Sequence, residues 1–290
     1  MADDLTDASP ELRDAERQVE RRSAVFRKEL GLTDLALTQI LFIVGLPWVG
    51  FAAKLGPSHI IFWLLAISLF YLPSAAVVIY LNRLMPLEGG LYQWAKLAFN
   101  SFLGFMVGWN LWLFVILNCS EIGSDDIDLI GPIPQVMSIG FGKLGFAAHI
   151  VPIAIIAFLG IRIAQSSVQF AGNTRLPMVA GWDRLLPEWF TRLHPKRKTP
   201  VNSIIFVGAI TLAVGLAGLI GVGEQEAFQL LWNASGIFYA LTYLVMFAIP
   251  LVGLKGTAGS APLWLKLASA SGLLMTVLYV GLGDLAGDQS

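Results

Sequence analysis

Residues 35–53 read LALTQILFIVGLPWVGFAA. The run is apolar and close to the roughly 20 residues that carry a helix across a bilayer. At its middle stands Gly45-Leu46-Pro47-Trp48-Val49-Gly50. Proline has no amide hydrogen and glycine weakens a helix, so backbone N–H and C=O groups come free at hydrocarbon depth. Such a break survives only where it is buried in protein or lines a cavity. Broken helices at the bilayer midplane are how many secondary transporters build a substrate site. A plain proline kink is the other reading of the same residues.

Working outward, six further apolar runs follow, at about 60–81, 102–119, 149–170, 201–222, 227–252 and 264–282. The chain is 56% hydrophobic and 13% charged, with a mean hydropathy of +0.70. A soluble domain carries about 25% charged residues. The class expected is an all-α polytopic membrane protein with about seven transmembrane helices. Residues 129–147 are apolar too, but Gly131-Pro132-Ile133-Pro134 and Gly140-Phe141-Gly142 interrupt them. They suit a surface or re-entrant piece.

The basic residues orient the spans. With the N-terminus cytoplasmic, sixteen of the nineteen lysines and arginines fall on the inner side. Only Lys54 and Lys143 fall outside, and Arg162 falls within a span. The outer segments are acidic instead, from Glu121, Asp125, Asp126 and Asp128 to Glu224 and Glu226. This is the positive-inside pattern, and it predicts an outer C-terminus. The first thirty residues are charged and lack the apolar core of a secretory signal. Asp14 to Leu30 fits either an amphipathic helix on anionic lipid or a solvated tail.

Within the inner loops, Gly89 and Gly90 suit a tight turn, with a helix expected from Leu91 and interfacial anchoring by Tyr92 and Trp94. Glu88 fits a cap for that helix or a gating carboxylate. A short amphipathic helix is expected around Asp183 to Leu193. Pro73 predicts a kink in the second span.

Three stretches then carry a family resemblance. They are Leu30-Gly31-Leu32-Thr33-Asp34 ahead of the broken span, Pro86-Leu87-Glu88-Gly89-Gly90-Leu91-Tyr92, and an inner-loop series. The series runs Arg175-Leu176-Pro177, Asp183-Arg184-Leu185-Leu186-Pro187-Glu188-Trp189-Phe190, His194-Pro195-Lys196 and Thr199-Pro200-Val201. The chain resembles the amino acid–polyamine–organocation (APC) superfamily of permeases over roughly Leu30 to Leu282. Such permeases have about twelve helices in two inverted repeats. The resemblance implies a partial inverted-repeat transporter fold. Residues 31–123 would match permease helices one to three, and 149–283 helices eight to eleven. Residues 1–30 form a charged cytoplasmic tail, 124–148 an outer acidic and Gly/Pro segment, and 284–290 a tail. Four helices would then be lost near Glu121 to Asp128, the second broken helix among them, and one more beyond helix eleven.

The resemblance also implies roles. The break at Gly45, Leu46, Pro47, Trp48 and Gly50 would offer backbone amides to a substrate carboxylate. Pro47 departs from the pattern, because it stands where a glycine is expected and has no N–H to give. Arg162, near the centre of its span, is costly in lipid and so a candidate for substrate binding or gating. A structural charge bonded to carbonyls is the alternative. Gln165, Ser166 and Ser167 lie within a turn of it and are candidate ion or polar contacts, or interhelical hydrogen-bond glue. Trp109, Asn110 and Trp112, with Trp232, Asn233, Tyr239 and Tyr243, either wall a substrate cavity or simply pack.

Enzyme chemistry finds no motif. The three histidines are scattered, Cys119 is the single cysteine, and no metal, cofactor or catalytic constellation is expected. Lys196-Arg197-Lys198 marks the inner face rather than a nucleic-acid site. The expected partners are the lipid bilayer, an amino acid or amine substrate and a coupling proton or sodium ion, with a homo-oligomer left open. The expected place is the plasma (inner) membrane. The function implied is alternating-access transport by a chain incomplete on its own. The rival is a non-transporting structural or regulatory remnant, or a fragment needing a partner chain.

Overall fold

A computed structural model describes residues 14, 17–19, 21–22, 24, 31–43, 58–120, 147–218, 224–252 and 261–287. Their regular structure is helical, with no strand among the described residues. The long elements are α1 (Leu32–Ile43), α2 (His59–Leu84), α4 (Ser101–Ser120), α5 (Ala147–Asn173), α7 (Val201–Gly218), α8 (Glu224–Val252) and α9 (Leu263–Gly287). Two short helices lie between them, α3 (Leu91–Ala98) and α6 (Arg175–Trp182). Six of them coincide with expected spans, and α1 covers the first part of the expected span 35–53. Among the described residues, His59–Leu84, Asn233–Val252 and Leu263–Gly281 are long and apolar enough to cross a membrane, and Ser101–Leu117 and Val201–Ala217 are shorter apolar helices. The broken stretch Gly45 to Gly50 and the segment 129–146 lie outside the described residues.

Two packed groups emerge. In the first, Val77 and Leu81 of α2, with Met85 just beyond, meet Met246, Phe247 and Ile249 of α8 and Leu265 of α9. In the second, Trp112 and Ile116 of α4 meet Val207 of α7, while α5 and α6 also lie against α4. The groups touch along α4 and α8. Outward faces are apolar, as at Ile61, Leu64 and Leu72 of α2, which suits contact with lipid.

Pro73 acts differently from a simple kink. Residues Ile67–Tyr71 form a π turn just before it, in which the Leu72 N–H reaches back to the Ile67 carbonyl. Proline at 73 removes the donor that the Leu69 carbonyl would accept and crowds that carbonyl. The widened turn relieves the crowding. Ser271 Oγ of α9 donates to the Leu69 oxygen at 2.8 Å, so the carbonyl is answered from another helix.

The helix expected from Leu91 is present, but its anchors are not interfacial. Tyr92 and Trp94 are 2% and 6% exposed, because α3 lies between the two helix groups. Trp94 Nε1 donates to the Met85 carbonyl at 2.8 Å. Close approach of α3 to α4 depends on Gly104 and Gly108, one turn apart. A Cβ on Gly104 would stand 2.6 Å from Lys96 Cβ, and one on Gly108 2.9 Å from the Tyr92 ring. This is the small-residue spacing by which membrane helices pack closely.

Two loop expectations are corrected. Glu88 makes no cap to α3, whose N-cap Gly90 has no side-chain hydrogen bond. It pairs instead with Arg175 at 3.0 Å. The helix expected over Asp183 to Leu193 lies earlier, at Arg175–Trp182, followed by a 3-10 turn at Glu188–Thr191. Pro177 is tolerated in the first helical turn, whereas Pro187 pushes the backbone before it away from helix.

Candidate functional site

The end of α6 is built to hold Asp183. Arg184 N–H donates to the Gly181 carbonyl and Leu185 N–H to the Ala180 carbonyl, both at 3.0 Å. This is a Schellman closure, with Arg184 in the left-handed conformation (φ 59°) that glycine usually fills. Asp183 is the C-cap residue, so its carboxylate sits at the negative end of the helix dipole. The charge is met by partners. Lys96 Nζ of α3 lies 2.7 Å from Asp183 Oδ1, and the Tyr92 hydroxyl donates to Oδ2 at 2.6 Å. Asp183 and Lys96 side chains are 13% and 25% exposed, so water screens this pair only in part. Burial, then the hydrogen bond to Asp183, then the charge of Asp183 push the Tyr92 phenol far above its ordinary value. Arg22 of the N-terminal tail donates from Nη1 to the Trp182 carbonyl at 2.7 Å, a cation on the carbonyl end of α6. The described part of the tail is helical and meets protein here rather than lipid alone.

Above this cluster lies an open pocket between α4, α6 and α7. Its aromatic lining is Tyr92, Phe105, Trp109, Trp112, Phe190 and Phe206. The rings run in series. Trp109 lies 6.1 Å from Phe105 and 4.7 Å from Trp112, and Trp112 stacks on Phe206 at 5.5 Å. Phe206 then meets Phe190 edge-on at 5.0 Å. Leu176, Pro177 and Ala180 of α6 and Leu186 complete the wall. Trp112 Nε1 is buried with no hydrogen-bond partner among the described residues.

The sequence-derived candidates are only partly gathered. Trp109 and Trp112 line the pocket, whereas Asn110 is buried on the same helix and does not. Arg162 lies within α5, with its side chain outside what the structure describes. Gln165 is buried and Ser166 half-buried, and neither is without a partner. Ser167 Oγ donates to the Ile163 carbonyl at 2.7 Å, which spends the hydroxyl within its own helix. Gly45, Leu46, Pro47, Trp48 and Gly50 fall outside the described residues. Tyr239 and Tyr243 of α8 share a 2.9 Å hydroxyl contact; Tyr239 stacks on Phe114 of α4 at 4.4 Å, and Tyr243 meets Phe70 of α2 at 5.2 Å, so both pack between helices. Among the described residues no cluster of His, Cys, Asp and Glu suits a metal ion. Sequence reading missed the group of Tyr92, Lys96 and Asp183, because its members come from two distant loops.

The family model described as amino acid permease matches residues 30–124 and 119–280. The chain belongs to the amino acid permease family. The permease match falls in two pieces that meet at residues 119–124. A curated relative, cationic amino acid transporter 6, chloroplastic, of Arabidopsis thaliana, is 32% identical over 114 residues, covering 37% of this permease chain and 19% of the relative. An uncharacterised transporter of Legionella pneumophila is 29% identical over 91 residues, covering 31% of this chain and 20% of the relative. Cationic amino acid transporter 7, chloroplastic, of Arabidopsis thaliana is 34% identical over 74 residues, covering 23% of this chain and 13% of the relative. The matches thus span a fifth or less of these relatives' own length. No solved structure gives a significant match. Family and apolar helices together make this permease an integral membrane protein of a transporter family rather than an enzyme family.

Proposed function

We propose that the chain takes part in alternating-access transport of an amino acid or organic amine, from a plasma (inner) membrane with its N-terminus cytoplasmic. The family match across most of residues 30–280 carries this reading. The aromatic pocket supports it. Ring faces attract an ammonium group, and the pocket is walled by several of them. Two relatives are named as cationic amino acid transporters, so a cationic amino acid is the first substrate to try. The break at Gly45 to Gly50, Asn110 and Arg162 are proposed contributors to the same path, and Gln165 and Ser166 to coupling by a proton or sodium ion.

One observation favours a second reading, a fragment that needs a partner chain or no longer transports. The family match is split at 119–124, where internal helices would have been lost. Purified protein reconstituted into liposomes, offered labelled arginine, lysine, neutral amino acids and polyamines, decides between them. Uptake above empty vesicles is expected. A chain that elutes as a folded species yet takes up nothing overturns the transport reading and leaves the second.

A further inference from the structure

Helix α3 has one foot in each packed group. Trp94 and Ala98 belong to the core shared by α2, α8 and α9. Tyr92 packs with Met178 and Val179 of α6, in the other group. Tyr92 and Lys96 both reach Asp183 at one end of α6, while Glu88, just ahead of α3, pairs with Arg175 at the other. The placement of Asp183 is telling. At a helix C-terminus an anion is disfavoured by the dipole, and a neutral cap would serve the helix better. The negative charge is useful there only through its partners on α3.

Tyr92 also lines the aromatic pocket. The ring is a wall of the cavity, and its hydroxyl is tied to Asp183 at the end of α6, whose Leu176, Pro177 and Ala180 line the cavity too. Packed interfaces switch between discrete arrangements rather than deforming continuously, and a polar cluster across one is made or broken with that switch. We propose that Tyr92, Lys96 and Asp183 form a clasp that holds the inner mouth of the pocket shut and must open for substrate to leave. The inference rests on the alternating-access reading, and it gives α3 a task in that cycle. The two helix groups move apart at their inner ends only when Asp183 lets go of α3.

The test uses the full chain in inside-out vesicles, with Cys119→Ser and a reporter cysteine from Ala180→Cys in the pocket wall. Ala180 is 6% exposed, so its labelling by a membrane-impermeant maleimide reads opening rather than surface exposure. Asp183→Asn and Tyr92→Phe are each expected to speed labelling by about tenfold, the scale of a lost hydrogen bond to a charged group. Tyr92→Phe keeps the ring packing, and gel filtration in detergent confirms folding of every variant. Exchanging the charges, with Lys96→Glu and Asp183→Lys together, is expected to slow labelling again relative to Asp183→Asn. Labelling of both single variants at the parental rate overturns the clasp. Uptake measured in the same vesicles separates the two ideas. Faster labelling without uptake in any form refutes the transport reading and leaves the clasp. Uptake with unaltered labelling refutes the clasp alone.

Discussion

Arg184 holds a backbone conformation that most side chains avoid, because its Cβ crowds the following carbonyl. Its two flanking hydrogen bonds close α6, so the strain buys a fixed aim for Asp183. Arg184→Gly removes the crowding and keeps both bonds. It should raise stability by about 1 kcal/mol, read as a higher midpoint of thermal unfolding in detergent. Tyr92 gives a prediction in pH. Its folded value lies above its unfolded value of about 10, so its proton is held more tightly in the folded chain. Its contribution is therefore fully present below about pH 10 and lost as pH rises beyond it. The stability difference between the parent and Tyr92→Phe should stay flat from about pH 6 to 9 and shrink above about 10. Neither Arg184 nor Asp183 was legible as special in the sequence. Both stood inside a motif, but an acid near a helix end gains meaning only when a tyrosine 91 residues earlier is folded against it.

At the scale of the element, α2 shows how a proline is absorbed in a membrane helix. Ser271→Ala would leave the Leu69 carbonyl without its donor, at a cost near 1 kcal/mol, typical of interhelical hydrogen bonds in bilayers. In a background of Pro73→Ala, residue 73 regains an N–H and Ser271→Ala should cost clearly less. Equal costs in the two backgrounds, measured by thermal unfolding, would refute the account. The proline itself was legible, and so was a distortion. The form it took was not, because the freed Leu69 carbonyl is answered by a serine on a helix far along the chain. Likewise the helix after Gly90 was foreseeable from the turn glycines. Its burial was not, since Tyr92 and Trp94 look like interfacial residues until Gly104 and Gly108 let α4 come close.

For the molecule as a whole, apolar run lengths were enough to place the helices. Those signals are local and additive along the chain. Which face of each helix meets which neighbour is a pairwise property, and the run lengths do not carry it. The pocket illustrates the limit. Trp109 and Trp112 were open to two readings, as cavity wall or as packing, and they do both. Phe190 and Phe206 join them only through the inner loop's return across α6 and into α7. The opening clue, the glycines and proline of residues 45–50, lies outside the described residues, so its part in the site stands as a proposal.

The bond from Ser271 to the Leu69 carbonyl also orders events during synthesis. The two residues are 202 positions apart, and the ribosome releases α2 long before α9 exists. Through that interval the second span waits in the membrane with an unanswered oxygen. Of the two helices α2 is made first, and its own hydrogen bonding is completed by one made much later.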